Sequence, residues 1–163
     1  IHAVMIMASK TNAIRIVNQA GFACKEAFYA YNEKDLSGEH AAQAIGFPAE
    51  QVFKTLVTRG TKTGICVFCI PVCLELDLKK AAKAAGDKSI EMVAVKELLS
   101  LTGYIRGGCS PVGMKKKYPT YMDETCILWK EIAVSAGARG HQVIVPPEEL
   151  AGLVDARLAD ITL

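Results

Sequence analysis

Gln51-Val52-Phe53-Lys54-Thr55-Leu56-Val57-Thr58 is dense in β-branched and apolar residues, follows a turn at Pro48, and reads as a strand. Period-2 alternation puts Val52, Lys54 and Leu56 on one face and Phe53, Thr55 and Val57 on the other. Both faces are largely apolar, so the strand is expected to be buried on both sides with a lysine in its middle. A buried ammonium is costly unless it reaches a partner, a water-filled cleft or a ligand. On burial alone the plainer reading of Lys54 is a snorkelling side chain, stem packed and head in solvent. The rest of the chain decides against that reading.

Gly60 to Gly64 marks a turn and Ile65 to Ile70 a second, wholly apolar strand, which predicts a hairpin with a Gly-containing loop. Upstream, Ser37 caps a helix from Gly38 to Ile45 that closes at Gly46, and Ala27 to Tyr31 reads as a strand. Ile14 and Val17 at helical spacing, stopped by Gly21, predict a helix over Lys10 to Ala20. Downstream, Asp77 caps a helix over Leu78 to Ala85, followed by a short strand over Ser89 to Val93 and a helix over Lys96 to Leu101. Gly107-Gly108-Cys109-Ser110-Pro111-Val112-Gly113 is too rich in Gly and Pro for a regular element. Tyr118 to Asp123, Glu131 to Ser135 and Gln142 to Val145 read as strands, and Pro146-Pro147 opens a last helix through Val154.

Strands and helices interleave without a strict βαβ rhythm and without repeats. The expected fold class is α+β, a single domain around a mixed, largely antiparallel, barrel-like sheet with peripheral helices, able to close into a barrel. The domain spans residues 10–163. Residues 1–9 are expected to be a flexible N-terminal extension, native or introduced by cloning, with Met5 or Met7 as the natural start.

Composition narrows the class. Hydrophobic residues make up 51% and charged residues 22% of the 163, ordinary for a soluble globular protein with a proper core. The net charge of +2 permits a local anionic partner but does not by itself argue for nucleic acid. Ile65 to Leu74, the longest apolar run, is far short of the ~20 residues that span a membrane, and the N-terminus lacks the basic region of a secretory signal. Six cysteines, most inside apolar runs, fit a reducing cytoplasm better than a disulfide framework.

Several chemistries can be set aside on geometry. Cys66, Cys69 and Cys73 tempt a zinc reading, but Cys66 and Cys69 are three apart in a strand and point to opposite faces, and no histidine completes a set. No metal and no cofactor is expected. His2, His40 and His141 stand far apart with no coupled nucleophile and acid, so no triad can be assembled. Cys109 sits in a loop beside positive charge, a setting that lowers a thiol pKa, yet with no base nearby a small residue filling a loop is the weightier reading.

The Gly107–Gly113 loop lacks the glycine spacing of a Walker A or dinucleotide fingerprint. Its glycines nonetheless let backbone N–H groups face a ligand and form an oxyanion nest. Ser135-Ala136-Gly137-Ala138-Arg139-Gly140 is a second such stretch, and with Lys54 the two outline a pocket of backbone donors and one cation. Lys115-Lys116-Lys117, with Tyr118 beside them, are a solvated charge run in the plain reading and phosphodiester contacts in the other.

Four blocks together resemble the prolyl-tRNA editing family, in particular its free-standing Cys-tRNA(Pro) deacylases of the YbaK/EbsC type. They are Val52-Phe53-Lys54-Thr55-Leu56, Leu76-Asp77-Leu78-Lys79-Lys80, Thr102-Gly103-Tyr104 through Gly107 to Gly113, and Val134-Ser135-Ala136-Gly137 with Arg139-Gly140. The resemblance implies hydrolysis of the ester that joins a wrongly attached amino acid to tRNA(Pro), with Lys54 as the essential lysine. It also implies that Tyr31, Thr55, Gly107 and Ser135 line the pocket, and Gly108, Ser110 and Gly137 join them as expected substrate-binding positions. Lys115, Lys116, Lys117 and Arg139 are candidate tRNA contacts. Two departures stand out: Cys109 where the family more often has an apolar residue, and Ala138 where a second basic residue is common.

The expected partner is mischarged tRNA(Pro), with prolyl-tRNA synthetase in a transient complex supplying specificity. An aminoacyl ester is already activated, so positioning and oxyanion stabilisation matter more than a strong protein nucleophile. In the cysteine-specific branch the substrate thiol is thought to attack its own ester. The alternatives are the same chemistry on another misacylated tRNA, such as Ala-tRNA(Pro), or a non-catalytic tRNA- or protein-binding module on this fold.

Overall fold

The computed structural model describes residues 10–163. The first nine residues, expected to be an N-terminal extension, lie outside the described residues. The helices are α1 (Asn12–Ala20), α2 (Gly38–Ile45), α3 (Leu78–Ala85), α4 (Leu98–Thr102) and α5 (Pro147–Leu153). The strands are β1 (Lys25–Phe28), β2 (Phe53–Gly60), β3 (Gly64–Pro71), β4 (Ile90–Met92), β5 (Thr120–Asp123), β6 (Ile132–Ala138), β7 (His141–Val145) and β8 (Arg157–Ala159).

The helix boundaries follow capping chemistry. The side chains of Thr11, Ser37 and Asp77 each accept backbone N–H groups at a helix start. Gly21, Gly46 and Gly86 close the same helices in the left-handed conformation that a residue with a Cβ resists.

The strands form a three-stranded sheet of order β1-β7-β6 and a five-stranded sheet of order β4-β2-β3-β5-β8. Most pairings are antiparallel, but β5 runs parallel to both β3 and β8, so the larger sheet is mixed. The sheets do not close into a barrel. Their described link is a single parallel bridge between Val52 and Ala133. Beyond it no further bridge joins β2 and β6 among the described residues.

Strand β2 starts at Phe53, because Ala49–Gln51 coil into a 3-10 turn ahead of it. Its two faces serve different cores. Phe53 packs with Ile14, Cys69 and Val134 in the main core, whereas Leu56 packs against the cluster of Cys66, Phe68 and Ile70 beneath α3. Cys66 and Cys69 therefore do fall on opposite sides of the sheet. Phe53, Phe68 and Ile70 are fully buried, each stabilising the fold by about 1.5–3 kcal/mol relative to exposure. Val52 joins a third small cluster with Ala42, Val72 and Ala133 where α2 packs.

Candidate active site

One edge of β2 is paired with β3 along its whole length. The other edge is covered by β4 only from Thr58 to Gly60, and tied to β6 only at Val52. Between those points no strand among the described residues covers β2, and a cleft of about 540 Å³ fills the gap, a size suited to a small-molecule group. The Val57 carbonyl accepts the Val93 N–H at 3.2 Å across this open edge. Residues of the same parity, Thr55 among them, thus turn their main-chain groups toward the cleft.

Lys54 lines this cleft, half-buried, and no carboxylate among the described residues lies within ion-pair distance of it. Facing it are Ser135 and Gln142, cross-strand partners on β6 and β7. The Ser135 Oγ accepts the Gly137 N–H at 3.1 Å, which orients the hydroxyl and leaves its proton to donate. Tyr29 closes the floor, its phenol pushed up by burial, and Cys109 lines the wall.

The glycine loop enters the cleft at Arg106, Gly107 and Cys109. Gly108 is what lets it dock: a Cβ there would stand 3.1 Å from the Ala138 carbonyl carbon and the Arg139 nitrogen. The loop is less of a nest than its composition suggests. The Gly108 N–H donates to Ile105 O at 2.9 Å and the Val112 N–H to Ser110 Oγ at 3.1 Å. The N–H groups of Gly107 and Cys109 have no partner among the described residues, and both residues line the cleft.

Of the positions singled out from sequence, Lys54, Thr55, Gly107 and Ser135 converge on the cleft, Thr55 through its main chain, since its hydroxyl sits 3.8 Å from Cys69 Sγ. Gly108, Ser110 and Gly137 support the walls from behind, Ser110 fully buried and Gly137 packed on Tyr104. Tyr31 does not reach the cleft. β1 ends at Phe28, the chain turns, and Tyr31 lies exposed against Gly140, while Tyr29 takes the lining position. Gln142 was also missed. It is 6% exposed and its buried Oε1 has no hydrogen-bond partner among the described residues. Its signal was register: it stands opposite Ser135.

Cys109 fits the weightier of its two readings, a small residue filling a loop, though it is more buried than its loop setting suggests. Burial pushes its thiol up to about 12, overriding any nearby positive charge, so it is a protonated wall residue. His40 and His141 pair with Asp35 and Glu26 and do not line the cleft, and His2 lies outside the described residues. Arg139 donates from Nε to the Arg106 carbonyl at 2.9 Å, bracing the loop. Lys115 leans on Gly103, and Lys117 is paired with Asp155.

A cleft with Lys54 and Arg106 in its lining, neutral hydroxyl and amide groups opposite, and no histidine among its described lining residues suits the binding and polarising of an activated carbonyl. Residues 34–153 match the model of the aminoacyl-tRNA editing domain, and the chain belongs to that family. It is 50% identical over 153 residues, 94% of this chain and 93% of the other, to EbsC of Enterococcus faecalis, a proposed Cys-tRNA(Pro)/Cys-tRNA(Cys) deacylase. It is 33% identical over 110 residues to the proline–tRNA ligase of Shouchella clausii, covering 67% of this chain but 19% of the ligase. A crystal structure of a proposed trans-editing enzyme for prolyl tRNA synthetase superposes with a TM-score of 0.80 at 29% identity, covering 95% of this chain and 99% of that one.

Proposed function

We propose that the protein is a free-standing deacylase that clears cysteine from mischarged tRNA(Pro) in the cytoplasm. The observation that carries this reading is that Lys54 and the glycine loop at Gly107 and Cys109 line one cleft whose described lining holds no histidine and has Glu39 as its carboxylate. The likeness to EbsC over nearly the whole of both chains supports the choice of substrate.

In this reading the aminoacyl end enters beside β2. Lys54 orients it through the carbonyl or a terminal-adenosine group, and the loop N–H groups stabilise the oxyanion as it forms. The substrate's own thiol attacks the ester carbon. A C–S bond forms, the C–O bond to the ribose breaks, and the thiol proton passes to the leaving ribose oxygen. The product is a cyclic thiolactone that water opens to free cysteine. Selection is chemical: serine offers a poorer nucleophile and alanine none. The modest net charge fits weak intrinsic tRNA affinity, with prolyl-tRNA synthetase supplying specificity in a transient complex.

The test is a panel of deacylation rates on Cys-, Ser-, Ala- and Pro-tRNA(Pro), with and without prolyl-tRNA synthetase. Cysteine is expected to be cleaved fastest by at least tenfold, in line with chemistry that rejects an analogue lacking the reacting group. Equal rates on the serine or alanine substrate would remove thiol participation. Cleavage of none of them would leave a binding module.

A further inference from the structure

The two lips of the cleft differ in kind. One is the start of α2, where Glu39 lines the opening with Asp35 just before it, and Glu39 and Glu50 both act on Cys73 nearby. This lip is acidic and repels a phosphodiester. The other lip is built by β4 and by residues 95–102, where a 3-10 turn runs into α4. Met92 and Val95 line the cleft here, and Val95 and Leu99, four residues apart on the helical stretch, share a face. Met92, Val95 and Leu99 are 46%, 62% and 53% exposed, an apolar strip continuous with the cleft and uncovered.

Cations flank that strip. Lys96 is exposed next to Val95 in the 3-10 turn, Arg106 lines the cleft mouth, and Lys115 packs along Gly103 where α4 ends. The acids of this lip are spoken for: Glu97 is ion-paired with Arg59 at 2.8 Å, and Glu91 also acts on Arg59.

We propose that this lip seats the unpaired 3′ strand of the RNA whose aminoacyl end occupies the cleft. Bases pack on Met92, Val95 and Leu99, and phosphates lie toward Lys96, Arg106 and Lys115. The inference rests on the reading that the cleft receives an aminoacyl-tRNA end. The charge contrast between the lips and the continuity of the apolar strip with the cleft fix the exit path. Apolar side chains offer sequence-tolerant surfaces to base faces, and flanking cations track the backbone.

The experiment measures equilibrium binding, at low salt, of an unacylated acceptor-stem minihelix that ends in its unpaired CCA and of the same minihelix without those nucleotides. Because the RNA is unacylated, the result does not depend on deacylation, and a protein that binds this way without turnover would overturn only the functional reading. Lys96→Glu, Val95→Ser and Leu99→Ser are each expected to weaken binding of the CCA-ended RNA by about fivefold to tenfold. The same variants leave binding of the truncated RNA unchanged, and Lys130→Glu, at an exposed lysine outside the cleft lining, alters neither. All three substituted side chains are solvent-exposed, and matching melting temperatures confirm intact folds. Overturning results are unchanged affinity in all three variants, an equal loss on both RNAs, or wild-type binding that ignores the CCA end. Normal RNA binding with loss only of synthetase-dependent turnover would reassign the lip to a protein partner.

Discussion

The parallel bridge between Val52 and Ala133 is followed, two residues later on each strand, by Lys54 and Ser135, and both line the cleft. Had the two strands continued in register, these residues would be neighbours in a sheet. The ladder instead stops at the bridge, and the cleft has a cation from β2 and a hydroxyl from β6 in its lining. The unclosed sheet and the site are therefore one feature.

Gly108 holds the glycine loop against the β6–β7 turn at backbone contact distance. Gly108→Ala forces the loop away, costing about 1–3 kcal/mol of stability by overpacking and lowering deacylation by about tenfold or more as Gly107 and Cys109 move. Urea unfolding with steady-state deacylation checks both. Wild-type values for both would mean that the loop does not need this close approach.

Gln142 buries an acceptor that has no partner, a cost of about 1–3 kcal/mol. Gln142→Leu removes that cost together with the amide's hydrogen bond to the Tyr29 phenol, so its melting temperature is expected to change by no more than a few degrees while kcat/KM falls severalfold. A stability loss with unchanged turnover would show the amide to be structural.

Burial raises the thiols of Cys69 and Cys109 to about 12 and that of Cys126 to about 11, from an ordinary 9.0. A raised folded-state pKa contributes stability that is whole below the unfolded value and is lost as pH rises through the folded one. The protein is expected to hold its stability up to about pH 9 and to weaken progressively toward pH 12, with Cys109→Ala flattening the decline. At neutral pH that variant keeps its turnover within about twofold, because the thiol is protonated and takes no chemical part. A tenfold loss would return Cys109 to the mechanism.

Asp77 caps α3 by accepting the Lys79 and Lys80 N–H groups at 2.9 and 3.1 Å, away from the cleft. Asp77→Ala is expected to cost about 1 kcal/mol, lowering the melting temperature by a few degrees, with deacylation unchanged.

Much of this was legible in the chain. Side-chain alternation around Lys54, the caps at Ser37 and Asp77, and the irregular Gly107 loop all rest on local chemistry, and each is found where expected. What failed needed long-range information. The resemblance put Tyr31 in the pocket, whereas Tyr29 lines the cleft, because the end of β1 is set by pairing with β7, which a linear motif match does not reveal. Gln142 escaped notice because its position depends on the β6–β7 register. β8 was overlooked because Arg157–Ala159 is a strand only by virtue of its parallel neighbour β5. The charged setting of Cys109 was visible in sequence, but its burial, the stronger influence, was not.

Single-turnover deacylation of Cys-tRNA(Pro) by wild type, Lys54→Ala and Lys54→Arg tests the central claim most directly. A lysine that positions the aminoacyl end predicts a loss of about a hundredfold or more in Lys54→Ala and little recovery in Lys54→Arg, whose planar head cannot reproduce a point ammonium. Wild-type rates in Lys54→Ala would contradict any role for Lys54, and near-normal rates in Lys54→Arg alone would show that charge suffices without positioning.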